Sequence, residues 1–497
     1  MKLEDITEKD REDIAKLTKL KSVMKYVGNG KVWDSDKVDR FIKYNLEEIG
    51  MKNRTQYYYK ITNRKQFIGI IGIHPFKSFG GFYLSVMILP EEQRKGYYRK
   101  SLKMLGNRVK EEGIKTDRIK ILVRTSNERM ISLSQKNYYF NTERKINGED
   151  FYEFFYFLRD YTYLVMSEYL KKDEINDIFK KRGSWVPYLL SNDKRGERKN
   201  NPDFFYVDGR YVYDKRVFGI RSLLKNQVDN HKNITQKDTL YQNLQKKGNK
   251  KYLLENYNLD IDKINHQKME KLFDGNKVWI FKPAGDWAGK GIEVFDNYQD
   301  FKKYLPTLGE YRKRRKTNWV LQEYINDPLL LEGRKFHIRM YYLVYHQEAF
   351  LYNLGQVYTA AKKFKQSDYN NKDIHDSHIT GSLEGLYFPN SFKVSKKIKE
   401  DLHNQIISLF RDVKSIIKVG CFPETKDCYE ILGADLMITA DYQVKLIEIN
   451  TKIGYKEFEG VRFNKYLIEN EMQTIVDNIF PPENKAEPLE DKYFIKI

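Results

Sequence analysis

Two carboxylates stand inside strongly apolar runs near the end of this 497-residue chain. Residues 428–450 read CYEILGADLMITADYQVKLIEIN, and the two apolar runs, GADLMI and VKLIEIN, have the composition of β-strands. Asp435 lies in the first run and Glu448 in the second. Because an unpaired charge in a core is very costly, we expect both carboxylates to lie on a face that is not the core face.

A hairpin with its turn at Asp441 and Tyr442 explains this pattern. In that register Asp435 is directly opposite Glu448, and directly opposed residues share one face of the sheet. Asn450, two positions further along, lies on the same face. The other face is predicted to be the core side, and it carries Ala434, Leu436, Ile438, Ile447 and Ile449.

Three oxygen ligands therefore converge on one face of the hairpin. Two directly opposed carboxylates repel each other by up to ~1 kcal/mol when exposed, and a divalent cation removes that repulsion. Oxygen ligands without His or Cys favour Mg²⁺. We predict that Asp435, Glu448 and Asn450 bind Mg²⁺; the alternative is a solvated outer face of an edge hairpin.

A glycine-rich segment between two predicted strands has the composition of a phosphate-binding loop. Residues 279–295 read WIFKPAGDWAGKGIEVF, with Lys282 closing the first strand and Lys290 inside the loop. Glycines let backbone N–H groups approach phosphate oxygens, and a lysine adds a point charge. No helix is predicted after the loop, so it is not a Walker A loop, and a plain hairpin turn is the alternative. The glycines around Lys290 are Gly285, Gly289 and Gly291.

Residues 318–344 contain two further predicted strands, WVLQEYI and KFHIRMYYLV. The first ends in Gln322 and Glu323, whose polar groups suit an adenine edge and a ribose. Lys335 and Arg339 are four residues apart on the second strand and therefore lie on the same face. Two cations on one face suit a transferring phosphate or an acyl-phosphate; the alternative is that both are solvated.

Together these segments resemble the tubulin–tyrosine ligase-like group of ATP-grasp ligases. The matching signatures are QEYINDPLLLEGRKFHIRMYYLV, HIT at residues 378–380, CYEILGADLMI and LIEIN, with weaker support from LLKNQVDNHKNITQKDTLYQNL. The resemblance covers residues 179–455 and implies a glutathione-synthetase-like fold that holds ATP between two sheets. It also implies phosphorylation of a carboxylate followed by attack of an amino acid's amine, for which the protein supplies position and charge.

The resemblance implies a role for each of these residues. The implied catalytic residues, which would hold the γ-phosphate or the acyl-phosphate, are Arg339 and Lys335. The implied ATP-binding residues are Lys282, Lys290, Gly291, Gln322, Glu323, Tyr324 and Ile325. The implied metal ligands are the three that the hairpin predicts, Asp435, Glu448 and Asn450.

The chain departs from the family pattern in three places. His337 stands where the family usually has Asp in KFD-x-R, and Gly381 follows HIT where the family usually has Asn. Tyr358 stands near the place of an arginine that often follows the strand ending in Gly355. These changes affect the expected nucleotide affinity and acceptor choice, but they leave the predicted metal face intact.

The whole chain is basic, with a formal net charge of +20. Such a charge attracts polyanions, although a lysine-rich coding bias produces the same balance. We expect neither a membrane nor a nucleic-acid partner, since no run approaches the ~20 apolar residues of a membrane span and no nucleic-acid motif stands out. The cluster YRKRRK at residues 311–316 suits an acidic protein segment such as a tubulin tail, or it is a solvated loop.

The chain contains two cysteines, Cys421 and Cys428. Their spacing fits no common zinc site. With no disulfide framework we expect a reducing compartment, the cytoplasm. The first residues, MKLEDITEKDRED, contain no apolar run, so we expect no secretory signal.

Residues 1–160 show strands and helices that alternate with short connections. The predicted helices cover residues 10–24, 97–112 and 127–137, and the predicted strands cover 57–62, 67–72, 82–88, 119–124 and 151–157. QRKGYYRKSL resembles the turn of GNAT acetyltransferases, in which the N–H groups at a helix N-terminus bind the pyrophosphate of acetyl-CoA. NERMISLSQKNYYF resembles a later helix of that family. The acetyl-CoA-binding residues that the resemblance implies are Gln93, Arg94, Lys95, Gly96, Tyr98 and Asn127.

Three residues depart from the acetyltransferase pattern. Tyr98 replaces the second small residue of the turn, where it would crowd the pyrophosphate. Ser134 stands where many members have a general-acid tyrosine, and Tyr138 stands where a glycine is expected. The domain is therefore expected to acetylate, to bind acetyl-CoA only, or to dock a substrate.

We expect an α/β (α+β) protein in three parts. Residues 1–162 form a GNAT-like domain with a central mixed sheet, 163–270 a linker and the N-terminal part of the ligase module, and 271–497 the ATP-grasp domain. The expected activity uses ATP and Mg²⁺ to join a free amino acid (Tyr, Glu or Gly) to an acidic protein such as a tubulin tail, with acetyl-CoA serving the other half. The alternatives are a ligase acting on another protein or a small peptide beside an inactive GNAT-like domain, and a binding protein built from inactive enzyme folds.

Overall fold

The structure is a computed structural model, and it divides into two compact units. It describes residues 1–49, 51, 54–75, 80–114, 116, 118–135, 137–167, 170, 172–183, 185–188, 201–209, 211, 220–248, 250–284, 291–309, 318–369, 371–377, 394–418, 420–451, 463–480, 482 and 494–497. The first unit comprises Met1–Tyr161, Arg182–Val186 and Ile475–Lys485. The second unit comprises Thr162–Lys181, Pro187–Thr474 and Ala486–Ile497. Segments distant in sequence thus join the first unit, which a division into consecutive domains does not anticipate.

The N-terminal unit is built on a seven-stranded sheet with the order β1-β2-β3-β4-β5-β7-β6. Its strands are β1 Lys2–Asp5, β2 Tyr57–Asn63, β3 Gln66–Pro75, β4 Phe82–Ile88, β5 Arg118–Arg124, β6 Tyr139–Ile146 and β7 Glu149–Phe157. β4 and β5 pair in parallel, and the other neighbours are antiparallel. The five predicted strands are all present, and β1 and β6 are additional.

Helices cover both faces of the middle of this sheet, so β3 is apolar on both sides. The helices are α1 Arg11–Lys19, α2 Lys21–Met24, α3 Ser35–Glu48, α4 Tyr97–Glu111 and α5 Glu128–Gln135. Ile70 packs with α1–α3, whereas Ile71 and Ile73 pack with α4. The single helix predicted over residues 10–24 is wrong, because Leu20 has an extended backbone that separates α1 from α2.

The C-terminal unit contains a large mixed sheet whose main path is β21-β18-β17-β19-β11-β10-β8, with β16 paired to β17 and β20 to β19. Its strands are β8 Tyr161–Met166, β10 Phe204–Val207, β11 Ser222–Lys225, β16 Leu330–Leu331, β17 Arg334–Tyr345, β18 Glu348–Thr359, β19 Thr425–Ile438, β20 Val444–Asn450 and β21 Phe494–Lys496. The short strand β9 Trp185–Pro187 belongs mostly to the first unit. β8, β10, β11 and β19 run parallel, whereas β17, β18 and β20 pair antiparallel. This sheet contains both parallel and antiparallel strand pairs, which confirms the predicted α/β (α+β) class.

A smaller antiparallel sheet has the order β12-β15-β13-β14. Its strands are β12 Asn256–Leu259, β13 Trp279–Pro283, β14 Glu293–Phe295 and β15 Trp319–Glu323. The helices of this half are α6 Lys172–Arg182, α7 Lys232–Thr235, α8 Lys237–Lys246, α9 His266–Glu270, α10 Tyr298–Tyr304, α11 Lys372–His375, α12 Lys396–Lys414 and α13 Phe463–Glu471. A last short helix, α14 Asp477–Ile479, belongs to the first unit. The helix predicted over residues 394–419 is α12, and the Ser395 side chain accepts a hydrogen bond from Ile398 N at its start.

The two cysteines are bonded to each other, so the expectation of a chain without a disulfide is wrong. Cys428 is fully buried on β19, and Cys421 lies in the segment that enters this strand. Adjacent elements therefore bring the pair together, and the cysteines give no support for a reducing compartment. Within the described ranges, none of the helices combines the length and the apolar character that crossing a membrane would need.

Candidate functional site

The hairpin of β19 and β20 carries the predicted acidic face. Asp435 lies directly opposite Glu448, which confirms the predicted pairing. The register then shifts between Asp435 and Leu436, so that Leu436 faces Leu446. Ile447 is the extra residue of this bulge, and it packs against the core while remaining partly buried, whereas Leu446 is fully buried.

Asp435 is held by a cation on the neighbouring strand. Arg339 on β17 faces it directly and donates from Nε to Oδ1 at 2.5 Å and from Nη2 to Oδ2 at 2.7 Å. Both side chains are buried. The predicted phosphate-binding arginine and the predicted metal ligand therefore form one buried ion pair, which keeps both charges in place.

Glu448 is held by a lysine that the sequence pattern did not single out. Lys237 Nζ, at the start of α8, lies 3.0 Å from Glu448 Oε2. Burial would raise the pKa of Glu448, but the Lys237 ammonium opposes it and the net result is a pKa of about 2. Lys237 lies within the segment that resembles the family's upstream part, but that resemblance does not show which of its lysines faces Glu448.

Asn450 joins the two carboxylates. Its Nδ2 donates to Glu448 Oε1 at 2.8 Å and lies 3.3 Å from Asp435 Oδ2. Turning the amide by half a rotation presents its oxygen at the same place. Two carboxylates and one amide fit Mg²⁺, which takes one or two carboxylates and fills its shell with water and phosphate. In the described part of the chain, no cluster of three or more His, Cys, Asp and Glu side chains is arranged to hold a metal.

The smaller sheet presents a buried lysine toward this acidic face. Lys282 on β13 donates from Nζ to Gln322 Oε1 on β15 at 2.7 Å. Burial lowers the pKa of Lys282 to about 8, and the charges of Glu448 and Asp435 act on it from the larger sheet. The Tyr241 hydroxyl on α8 donates to the Leu446 carbonyl, so this helix is tied to the hairpin.

Glu323 does not join Gln322 in this site. Strand alternation turns it to the other face of β15, where Glu323 Oε1 lies 3.7 Å from Lys277 Nζ and Oε2 accepts from Glu255 N at 3.2 Å. Ile325 is buried in the core of the larger sheet. The side chains of Gln322 and Glu323 therefore point to opposite faces of β15, and these directions do not support the prediction that both contact one ligand.

Lys335 lies on β17, two positions before His337 and four before Arg339. Its Nζ donates to the Tyr324 hydroxyl at 2.6 Å, and that hydroxyl lies 2.7 Å from His375 Nδ1. Burial lowers the pKa of Lys335 to about 7. His375 was not predicted, because the only sequence signal was its place three residues before HIT.

Two of the departures from the family pattern touch each other. The rings of His337 and Tyr358 stack with centroids 4.9 Å apart and an interplanar angle of 4°. His337 Nδ1 bonds Ser377 Oγ at 2.6 Å, and its Nε2 lies 3.8 Å from Asp435 Oδ1. Tyr358 lies within β18, because this strand continues past Gly355 to Thr359.

Several predicted features lie outside the described residues. They are Lys290 with Gly285 and Gly289, the HIT segment with Gly381, and the basic cluster at residues 311–316. Gly291 is described and has a φ of 71°, a conformation that favours glycine.

The predicted acetyl-CoA turn of the N-terminal unit leads into α4. Gly96 has a φ of 80° at the position before the helix, and Arg94 has a φ of 66°. Gln93 Nε2 donates to the Ile88 carbonyl at 3.1 Å, and Lys95 Nζ lies 3.1 Å from Glu92 Oε2. The first N–H groups of α4 have no acceptor within the helix, as anion binding at this end requires.

The departures in this unit are explained by packing. Tyr98 turns into the core, where its ring meets the edge of the Tyr138 ring at 6.4 Å. Ser134 is fully buried on α5, and its hydroxyl makes no hydrogen bond. The Asn127 side chain accepts from Met130 N at 3.2 Å at the start of α5. Asn127 therefore caps a helix, and Ser134 is not exposed to a substrate.

Comparisons with known proteins agree with both resemblances. Residues 222–383 and 384–452 match the tubulin-tyrosine ligase family, and residues 1–137 match the acetyltransferase (GNAT) domain. The probable tubulin–tyrosine ligase PBY1 of Saccharomyces cerevisiae is 25% identical over 372 residues, which are 62% of this chain and 47% of the yeast protein. The probable tubulin polyglutamylase ttll-9 of Caenorhabditis elegans is 23% identical over 361 residues, which are 61% of this chain and 78% of the nematode protein.

This chain thus spans about half the length of the yeast relative. Among solved structures, the C-terminal domain of K. lactis Pby1, described as an ATP-grasp enzyme interacting with the mRNA decapping enzyme Dcp2, aligns with a TM-score of 0.48. It is 20% identical and covers 68% of this chain and 98% of the solved chain. The resemblances to the tubulin–tyrosine ligase and GNAT families that the sequence predicts are confirmed by the family matches.

Proposed function

We propose that the C-terminal unit is an ATP- and Mg²⁺-dependent ligase that joins the amine of a free amino acid to a protein carboxylate. The observation that carries this proposal is the charge arrangement at the hairpin. Two carboxylates are each paired with a cation, the buried Asp435 with Arg339 and the partly buried Glu448 with Lys237. Lys282 is buried within reach of their charges, Lys335 is buried on the same strand as Arg339, and neither lysine forms an ion pair with a described residue.

Buried ammonium groups without a carboxylate partner are costly, and an anionic ligand removes that cost. Nucleotide phosphates are such a ligand, and Lys282 and Lys335 would bind them. Arg339 is held rigidly by Asp435, so it is oriented before a phosphate arrives. The family relationship supports the same assignment.

Asp435, Glu448 and Asn450 would hold Mg²⁺, and the ion, when bound, neutralises phosphate charge during transfer. In this reaction type the acceptor carboxylate takes the γ-phosphoryl group, and the amine then displaces phosphate from the acyl-phosphate. The protein supplies no nucleophile. Its cations neutralise the transferring group and its buried walls exclude water.

The proposed acceptor is the acidic tail of a tubulin-like protein, and the amino acid is Tyr, Glu or Gly. Support comes from the net charge of +20 and from relatives described as a probable tubulin–tyrosine ligase and a probable polyglutamylase. We place the protein in the cytoplasm as part of this proposal.

The N-terminal unit is proposed to be an acetyl-CoA-dependent N-acetyltransferase. The match to the GNAT domain and the left-handed turn at Gly96 support binding of acetyl-CoA at the start of α4. The inward direction of Tyr98 supports it too, because the ring does not occupy the outer side of the turn.

One observation favours a second candidate function. Ser134 replaces the usual general-acid tyrosine and is fully buried, so this position offers no proton to a substrate. A GNAT-like unit of this kind would bind without catalysing, beside a ligase that acts on another protein or on a small peptide.

The test is ATP consumption by the full chain with purified tubulin and a mixture of amino acids, followed by intact-mass analysis of the tubulin tails. We expect a mass gain of one amino-acid type that is absent with Glu448→Gln. Magnesium-dependent ATP binding without a mass gain would point to another acceptor. Absence of ATP binding would overturn the ligase proposal. Calorimetry with acetyl-CoA tests the N-terminal unit separately.

A further inference from the structure

Three side chains from separate elements form one hydrogen-bonded chain beside the proposed nucleotide site. Lys335 on β17 donates to the Tyr324 hydroxyl at 2.6 Å, and its Nζ lies 4.0 Å from the centre of the Tyr324 ring. The same hydroxyl lies 2.7 Å from His375 Nδ1 on α11. Lys335 and Tyr324 are 6% and 7% exposed, so water does not compete for these bonds.

The direction of each hydrogen bond follows from the chemistry of the three groups. An ammonium group has no lone pair, so the Tyr324 oxygen accepts from Lys335. While Lys335 is charged, the single hydroxyl hydrogen of Tyr324 is left for His375 Nδ1, which accepts it. In that arrangement His375 is the neutral tautomer with its proton on Nε2, a buried atom that has no hydrogen-bond partner among the described residues. Burial and the nearby Lys335 charge lower the pKa of His375 to about 4, in agreement with a neutral ring.

The protonation of Lys335 depends on its hydrogen bond to Tyr324. The charged and titratable groups facing it are Tyr324, His375 and Asp376, with His337 on the same face of β17. Asp368 and Tyr369 lie beside His375. Asp376 favours the charged form, but burial dominates and lowers the pKa of Lys335 to about 7. The Tyr324 oxygen is the hydrogen-bond acceptor for the ammonium.

We propose that His375 is a positioning residue that fixes the Tyr324 hydroxyl with its oxygen toward Lys335, and so keeps Lys335 protonated and aimed at an anionic group of the nucleotide. Without an acceptor at His375, the hydroxyl hydrogen is free to turn toward the ammonium, and the charged form of Lys335 loses support. This inference rests on the proposed nucleotide-binding function, which it deepens by assigning a residue that controls the charge of that site.

Calorimetric ATP affinity in the presence of Mg²⁺ tests the proposal at about pH 6 and about pH 8, on either side of the Lys335 titration. His375→Leu is expected to weaken binding about tenfold at the higher pH and little at the lower pH, because a hydrogen bond to a charged group is lost. His375→Asn restores binding, since its Oδ1 accepts where Nδ1 did. In a Tyr324→Phe background, His375→Leu adds nothing further.

Equal losses at both pH values, no rescue by His375→Asn, or the same loss in the Tyr324→Phe background would overturn the proposal. A measurement without nucleotide separates it from the ligase proposal: the ¹³Cε signal of Lys335, assigned by Lys335→Arg, is titrated by NMR. His375→Leu is expected to lower the pKa of Lys335, and an unchanged pKa overturns the inference. If the wild type binds no ATP at either pH, the ligase proposal fails, whereas the NMR titration still decides the role of His375.

Discussion

Arg339 and Asp435 face each other across neighbouring strands and are joined by two hydrogen bonds of 2.5 and 2.7 Å. Asp435 also lies directly opposite Glu448, so its carboxylate has a cation on one side and a second carboxylate on the other. Removing one member of a buried ion pair leaves an uncompensated charge. The stability of this hairpin should therefore depend on which cations are present.

Arg339→Leu is expected to lower the free energy of unfolding by about 3 kcal/mol in the presence of EDTA. Mg²⁺ should recover part of this loss, because the ion replaces the missing positive charge between Asp435 and Glu448 and binds the folded state. Urea unfolding of the wild type and the variant, each with EDTA and with Mg²⁺, measures the effect.

A matched control exists in the N-terminal unit, where Arg144 donates to Glu153 at 2.7 and 3.0 Å. Arg144→Leu removes the same kind of fork from a buried carboxylate, but Glu153 has no opposed carboxylate with which to hold an ion. We expect no recovery with Mg²⁺ there. Recovery of both variants, or of neither, would contradict a metal site at the hairpin.

Lys237→Met should change how stability depends on acid. The folded state lowers the pKa of Glu448 from 4.5 to about 2, so this group stabilises the fold above pH 4.5 and loses its contribution as pH falls toward 2. The full contribution is on the order of 3 kcal/mol. Because Lys237 is the strongest group lowering this pKa, Lys237→Met should make the loss of stability between these pH values smaller.

Urea unfolding at several pH values between about 5 and about 2.5 measures this slope. Lys246→Met is the control, because Lys246 lies on the same helix and is exposed. An unchanged slope in Lys237→Met, or an equal change in Lys246→Met, would show that Lys237 does not set the charge of Glu448.

The acidic face was predictable because strand alternation is a local rule. The period of two in GADLMI and VKLIEIN places Asp435 and Glu448 on one face when the hairpin is centred between Asp441 and Tyr442, whereas a shift of one residue would separate them. Five strands of the N-terminal sheet were predictable for the same reason, because each is a short apolar run that is visible in the local sequence. The period fails only at the bulge beside Leu446, where one extra residue shifts the phase, and no local signal marks it.

The partners of the acidic face were not predictable from local pattern. Lys237 is more than 200 residues from Glu448, and many lysines in this chain have a similar sequence environment. His375 meets Tyr324 only because α11 packs beside β17. The pairing of Cys421 with Cys428 depends on how the chain enters β19, which spacing alone does not determine. In each case the tertiary fold decides the contact.

Lys282→Met should weaken ATP binding without lowering the stability of the unliganded protein. Lys282 is buried, and among the described residues its ammonium donates a hydrogen bond to the Gln322 amide oxygen alone. An apolar side chain of similar length is therefore expected to leave unliganded stability unchanged or raised. ATP affinity should fall about tenfold or more, because a charge-assisted contact with a phosphate is lost.

Calorimetry with ATP and Mg²⁺, together with urea unfolding of the unliganded protein, measures both effects. Lys302→Met on α10 is the control, because Lys302 is exposed and lies on the helix that packs beside β14. We expect neither quantity to change in it. Lower stability of Lys282→Met with unchanged ATP affinity would assign Lys282 a purely structural role.

The Cys421–Cys428 bond should stabilise the fold without affecting nucleotide binding. It closes a short loop, and loops of this size contribute about 2 kcal/mol by restricting the unfolded chain. Cys428 precedes Asp435 by seven residues on β19, a distance of about 23 Å along a strand, so the acidic face lies far from the bond.

A reductant should therefore lower the free energy of unfolding of the wild type but leave its ATP affinity unchanged. Cys421→Ala should have the lower stability from the start and show no response to reductant. If the wild type and Cys421→Ala unfold alike under oxidising conditions, the bond does not stabilise the protein; if reductant weakens ATP binding, the bond acts on the site through β19.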